Sequence, residues 1–143
     1  MSILNEENIL LNQQFDNKTD AIKATGQILV DKGYVEASYI DAMMQREELS
    51  STYMGNFVAI PHGTEDAKSA VLNSGLSVIQ VPGGVDFGGG NIVKFLIGIA
   101  GKGDEHLEIL SKIAIVLSEE ENVEKLVQAQ SKEEIIELLS EVN

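Results

Sequence analysis

The chain carries two histidines, and each stands in a segment built for chemistry. His62 follows a short apolar run and sits in the turn Pro61-His62-Gly63. Pro61 stiffens the approach, and Gly63 lets the backbone come close to whatever His62 meets. A neutral imidazole is nucleophilic near neutral pH, and a phosphoryl group on its nitrogen stays transferable. His106 stands in Gly101-Lys102-Gly103-Asp104-Glu105-His106, at the start of a predicted helix. Free backbone N–H groups and a positive dipole end at such a place suit an anion. Asp104 and Glu105 oppose that use unless they point away as caps. Arg46 is the single arginine, and its planar fork of donors matches a phosphoryl group in a way lysine does not.

Residue types leave other readings open for all three. His62 could be an idle loop histidine, His106 a first-turn residue on the solvated side, and Arg46 a helix-end residue bonded to carbonyls. A metal-dependent hydrolase is a further alternative, with His62, His106 and Asp104 as a two-His-one-carboxylate set. The His-Glu-x-x-His spacing is missing, so no metal is expected.

Gly83-Gly84-Val85-Asp86-Phe87-Gly88-Gly89-Gly90-Asn91 is glycine-rich but is not a nucleotide loop. It has neither Gly-x-x-x-x-Gly-Lys-Ser/Thr nor Gly-x-Gly-x-x-Gly opening a helix. It reads as a mobile loop between two strands, near the site. No bound cofactor is expected, and any phosphoryl group should come from something other than bound ATP.

The composition narrows the class. A chain of 143 residues suits one domain, expected over 1–143, and 43% hydrophobic residues suffice for a core. Without cysteine there is no disulfide, thiolate metal site or thiol nucleophile, which suits a reducing cytoplasm. Met1 to Gln14 lacks the basic start and apolar core of a secretory signal. The longest apolar stretch, near Ile92–Ala100, is too short to span a bilayer, so no membrane insertion is expected. The net charge of −13 would repel nucleic acid and anionic lipid. It reads as a solvated acidic surface or as a complement to a basic protein.

The elements that must hold these residues follow from pattern. Asn17 reads as the cap of a first helix that Gly33 stops. A second helix is predicted from about Ala37 to Glu48, with Tyr39, Ile40, Met43, Met44 and Leu49 on its buried side. Phe57–Ile60 reads as a strand ended by Pro61, and Leu76–Val81 as a strand ended by Pro82-Gly83-Gly84. Ile92–Ile99 is almost continuously apolar, as a central strand covered on both faces would be. The last third reads as helical, with Asp104, Ser118 and Ser131 as caps and Leu107, Ile109, Leu110, Ile113, Ala114 and Leu117 as one apolar face. Helices, then strands, then helices predict an α/β domain. Its mixed β-sheet of about five strands would be flanked by helices as a three-layer sandwich.

Several segments together match a known pattern: Glu47, Met54-Gly55 and Val58-Ala59-Ile60-Pro61-His62-Gly63 carry it most specifically. Lys32-Gly33-Tyr34-Val35, the Arg46-Glu47 helix end and Asp104-Glu105-His106-Leu107 extend it over nearly the whole chain. These resemble the enzyme IIA domains (EIIA type 2) of the mannitol/fructose class of the bacterial sugar phosphotransferase system. Gly33-Tyr34-Val35-Glu36 and Gly83–Gly88 look more like the mannitol branch than the fructose or nitrogen-regulatory branches.

The resemblance implies a phosphocarrier. The histidine of the Pro-His-Gly turn, here His62, would accept a phosphoryl group from phospho-HPr, and a cysteine of the EIIB domain of the mannitol permease would receive it. It also implies Nε2 as the phosphorylated nitrogen, with Nδ1 held by a carbonyl or carboxylate. His106 and Arg46 fall where the mannitol branch places a supporting histidine and arginine. Asn56 departs from the acidic residue of the family pattern and takes no role. Both partners are proteins, so an apolar rim is expected around His62. Met54, Phe57 and Phe87 are candidates for it, with burial in the core as the alternative. A regulatory module of the same fold, signalling by its phosphorylation state, is the alternative function.

Overall fold

The computed structural model describes residues 3–142. Met1, Ser2 and Asn143, the ends of the single domain expected over 1–143, lie outside the described residues.

Strand β1 (Ile9–Leu10) is followed by helices α1 (Lys18–Asp31) and α2 (Ser38–Leu49), then by strands β2 (Tyr53–Gly55) and β3 (Val58–Ala59). A 3-10 segment, Glu65–Ala70, leads to the long strands β4 (Gly75–Asp86) and β5 (Ile92–Ala100). Helices α3 (Glu105–Leu117), α4 (Glu120–Gln128) and α5 (Lys132–Leu138) complete the chain.

The strands form one mixed sheet in the order β1-β4-β5-β3-β2. β1 lies parallel to β4, and β3 parallel to β5, while β4 with β5 and β2 with β3 run antiparallel. β5 is the central strand, as its nearly continuous apolar run, interrupted by Lys94, predicts. Its side chains alternate between two cores: Phe95, Ile97 and Ile99 pack with residues of α3, α4 and α5. Leu96 and Ala100 pack with residues of α1 and α2. Each face of the sheet buries its own apolar set, and the result is three layers.

Local signals hold where their partners are local. The Asn17 side chain accepts from the Asp20 N–H at 2.9 Å and caps α1. At the other end Gly33 takes a φ of +78°. Its N–H donates to the Val30 carbonyl and that of Tyr34 to Leu29, both at 3.0 Å, the paired bonds of a Schellman stop. Ser131 Oγ accepts from the Glu134 N–H at 3.1 Å and caps α5.

Other expectations need correction. β4 does not end at Pro82-Gly83-Gly84 but runs to Asp86, with a register shift between Gln80 and Val85. The missing Pro82 N–H is tolerated because β4 pairs with β1 only at Val78 and Ile79. The glycine-rich stretch is therefore mostly strand and tight turn: Phe87 N–H donates to the Asn91 carbonyl at 2.9 Å, and Phe87 is buried. Ser118 does not cap α4. Its hydroxyl bonds back to the Ile115 carbonyl, and Glu119 holds the cap position. Asp104 stands at the cap position of α3 with no side-chain capping bond. Leu49, Leu107 and Ala114, all placed on apolar faces by periodicity, are exposed. Among the described residues, no helix is long and apolar enough to cross a membrane.

Candidate active site

β3 and β5 run in the same direction, and the site lies beyond their C-terminal ends. Crevices gather at such ends in open α/β sheets because loops diverge there. His62 stands three residues past β3 and forms an isolated parallel bridge with Ile99 near the end of β5. β5 then passes through Gly101 into α3, whose second residue is His106. A Cβ at Gly101 would collide with the backbone of His106, so glycine is what lets α3 start this close to the strand. Arg46 comes from the last turn of α2. The Glu65–Ala70 segment adds Glu65, Asp66, Ala67 and Lys68 to the same surroundings.

These three sources converge. Arg46, His62 and His106 line one cavity of about 450 Å³, together with Glu65 and Lys68. The imidazole rings lie 5.3 Å apart, centroid to centroid, tilted by 55°. His62 Nδ1 lies 2.7 Å from the Ile60 carbonyl oxygen. A carbonyl only accepts, so Nδ1 carries the proton and Nε2 holds the lone pair of the neutral ring.

Burial pushes the His62 pKa below the ordinary value of 6.5. The Ile60 carbonyl and the Glu47 carboxylate act in the opposite sense, while the Arg46 charge, and that of His106 when it is protonated, reinforce the burial. His106 is also lowered, first by burial and then by Lys68, against the pull of Glu65. Both rings therefore stay neutral at neutral pH. That is the form in which one can attack phosphorus and the other can donate a hydrogen bond without repelling it.

Arg46 is partly engaged. Its Nη1 donates to the Ser50 carbonyl at 2.7 Å and to Ser50 Oγ at 3.1 Å. The helix-end use of arginine and the cavity-facing use coexist in this residue. Its neighbour Glu47 is buried, and one carboxylate oxygen accepts from the Thr52 N–H at 2.9 Å and the Thr52 hydroxyl at 2.7 Å. Lys18 approaches the other oxygen at 3.4 Å. Burial raises the Glu47 pKa, but hydrogen bonds from Ser51 and Thr52 and the charge of Lys18 outweigh it and hold the carboxyl below 4.5. Glu47 thereby ties the end of α2 to the start of β2 and fixes the turn that carries Arg46.

Asp104 also lines the cavity. Among the described residues, however, no three His, Asp or Glu side chains gather closely enough to hold a metal ion. The glycine-rich turn after β4 does not line the cavity, nor do Met54, Phe57 or Phe87. The apolar rim comes from Leu49 and Leu107 instead, 77% and 69% exposed beside the opening. Helical periodicity marked both as core. Both stand at helix ends, Leu49 as the last residue of α2 and Leu107 in the first turn of α3, where helical periodicity is a weak guide to burial. Tyr39 is buried on the inner side of α2, as periodicity places it, and it also lines the cavity, which periodicity alone does not show.

The fold and the site together define an α/β domain that brings two histidines and an arginine to the lining of one cavity at its strand ends. The model of the family described as phosphoenolpyruvate-dependent sugar phosphotransferase system, EIIA 2, matches residues 2–142, and the chain belongs to that family. It is 67% identical over 143 residues to the mannitol-specific phosphotransferase enzyme IIA component of Geobacillus stearothermophilus, covering 100% of this chain and 99% of that one. The Bacillus subtilis protein of the same description is 59% identical, and each covers 100% of the other. The structure is also similar to a solution structure from Escherichia coli, the complex of enzyme IIA mannitol with phosphorylated enzyme IIB mannitol. The TM-score is 0.91 and the identity 40%, with 96% of each chain covered.

Proposed function

We propose that this chain is the phosphoryl carrier between HPr and the EIIB domain of a mannitol permease, acting through a phosphohistidine at His62. It works as one domain over 1–143, in the cytoplasm, where both partners present their reacting groups. The observation that carries this reading is the His62 Nδ1 hydrogen bond to the Ile60 carbonyl. It holds the ring in the tautomer that leaves Nε2 as nucleophile.

In the first step Nε2 attacks the phosphorus of phospho-HPr. The new N–P bond forms as the N–P bond of the donor breaks, and HPr leaves with the electron pair. In the second step the thiolate of EIIB attacks the same phosphorus, an S–P bond forms, and Nε2 recovers its lone pair. Phosphoryl transfer asks the protein mainly to position the groups and to stabilise charge on the equatorial oxygens. The Arg46 guanidinium and the neutral His106 ring are the groups that do so. Leu49 and Leu107 give each partner an apolar surface against which to dock, suited to a modest, short-lived interface.

Incubation with enzyme I, HPr and phosphoenolpyruvate, followed by intact-mass measurement, tests the reading. Wild type should gain one phosphoryl group and His62→Ala none. Acid-labile phosphate mapped to another residue would sink the assignment. Normal phosphorylation by HPr without transfer to a mannitol EIIB domain would favour the regulatory alternative.

A further inference from the structure

β3 and β5 keep one register from start to end. Val58 pairs with Phe95 and Ala59 with Leu96, and the isolated bridge joins His62 to Ile99 on that same register. The Ile99 N–H donates to the Pro61 carbonyl at 2.9 Å. In a parallel ladder the next bond would run from the Gly63 N–H to the Ile99 carbonyl. The Tyr39 hydroxyl stands between those two groups. It accepts from the Gly63 N–H at 2.9 Å and donates to the Ile99 carbonyl at 2.9 Å.

A side chain of α2 is thus inserted into the sheet at the residue after the candidate nucleophile. Tyr39 is 3% exposed, and its hydroxyl needs partners in a dry place. Both partners it has found belong to this junction. The ring presses on the same spot: a Cβ at Gly63 would lie 2.6 Å from Tyr39 Cε1. Burial raises the phenol pKa, against the pull of the Gly63 N–H, so the hydroxyl keeps its proton. It remains donor and acceptor together.

We propose that Tyr39 is a positioning residue for phosphoryl transfer: its hydroxyl holds the Pro61-His62-Gly63 turn one hydroxyl width away from β5 and so fixes where the His62 ring stands in the cavity. The inference rests on the proposed role of His62. Three bonds then define the turn, one per residue. Pro61 is held by Ile99, the His62 ring by Ile60, and Gly63 by Tyr39. Without the hydroxyl, the Gly63 N–H and the Ile99 carbonyl either close on each other or stay apart unpaired. The first moves His62 toward β5, and the second loosens it. Tyr39 acts through the turn and not on the phosphoryl group itself.

Tyr39→Phe keeps the ring and removes only the wedge. A near-attack geometry displaced by a fraction of an ångström should cost ~10-fold or more in kcat, with KM for phospho-HPr unchanged and the His62 ring resonances shifted in nitrogen-edited NMR spectra. Wild-type kcat together with unmoved His62 resonances would overturn the role. Hydrogen exchange on the unmodified protein gives a second test. The Gly63 amide should be protected to the level of the β3 amides, and exchange at loop rates would refute the wedge. Phosphate mapped away from His62 in wild type removes the site reading itself. Phosphate on His62 with full activity in Tyr39→Phe removes only the wedge.

Discussion

The rings of His62 and His106 face each other at 5.3 Å between centroids, although 43 residues separate them in the chain. Among the described residues no hydrogen bond joins their side chains, and the 55° tilt keeps them from stacking flat. An oxygen of a phosphoryl group on His62 would meet His106 as a donor. His106→Ala should therefore slow transfer by roughly 2.7–4 kcal/mol of barrier, the range found when one oxyanion donor is removed. The residue is only half-buried, so the thermal midpoint should hold. Stopped-flow transfer to a purified EIIB domain measures this, and an unchanged rate would remove His106 from the site.

Arg46→Lys keeps the charge and loses the fork. A lysine cannot grip two phosphoryl oxygens in one plane while also bonding Ser50, as the guanidinium can. The expected loss is about tenfold or more in kcat, or about 1.4 kcal/mol of barrier. Normal transfer by Arg46→Lys would reduce the arginine to a helix-end cap.

The pH dependence follows from the depressed His62 pKa. The nucleophilic neutral ring should persist below pH 6.5, so phosphorylation by HPr should keep its rate into mildly acid solution before it falls. Stability carries the matching sign. Below 6.5 the unfolded chain takes up a proton that the folded ring resists, so stability falls from there until pH reaches the lowered folded value. NMR titration of the His62 ring checks both. A midpoint at or above 6.5 would contradict the burial that lowers it.

The rim should behave as a docking surface and nothing more. Leu107→Asp removes an exposed apolar contact and leaves the core untouched. Its expected signature is a KM for phospho-HPr raised by about tenfold with kcat at saturation unchanged and the melting point kept. Leu49→Asp should act in the same way. A fall in kcat at unchanged KM would mean that these leucines shape the reacting geometry instead.

Much of this protein is written in short stretches of its sequence, and those stretches share a property. Asn17 finds its bond three residues on, Gly33 closes onto Leu29 and Val30, and Pro61 ends its own strand because it lacks an N–H. The β5 run is apolar on both faces because both faces are covered. The candidate trio was legible too, by residue type and by resemblance. Tertiary structure decided the rest. Tyr39 reaches Gly63 and Ile99, 24 and 60 residues away. Leu49 and Leu107 carry the pattern of core residues, but no element covers them, and Pro82 sits inside β4 because the neighbouring strand is short. A periodic pattern says which side chains avoid water. It cannot say which surface will arrive to cover them, or which distant backbone group a buried hydroxyl will meet. Those outcomes depend on how the layers stack, and stacking joins residues that the sequence holds far apart.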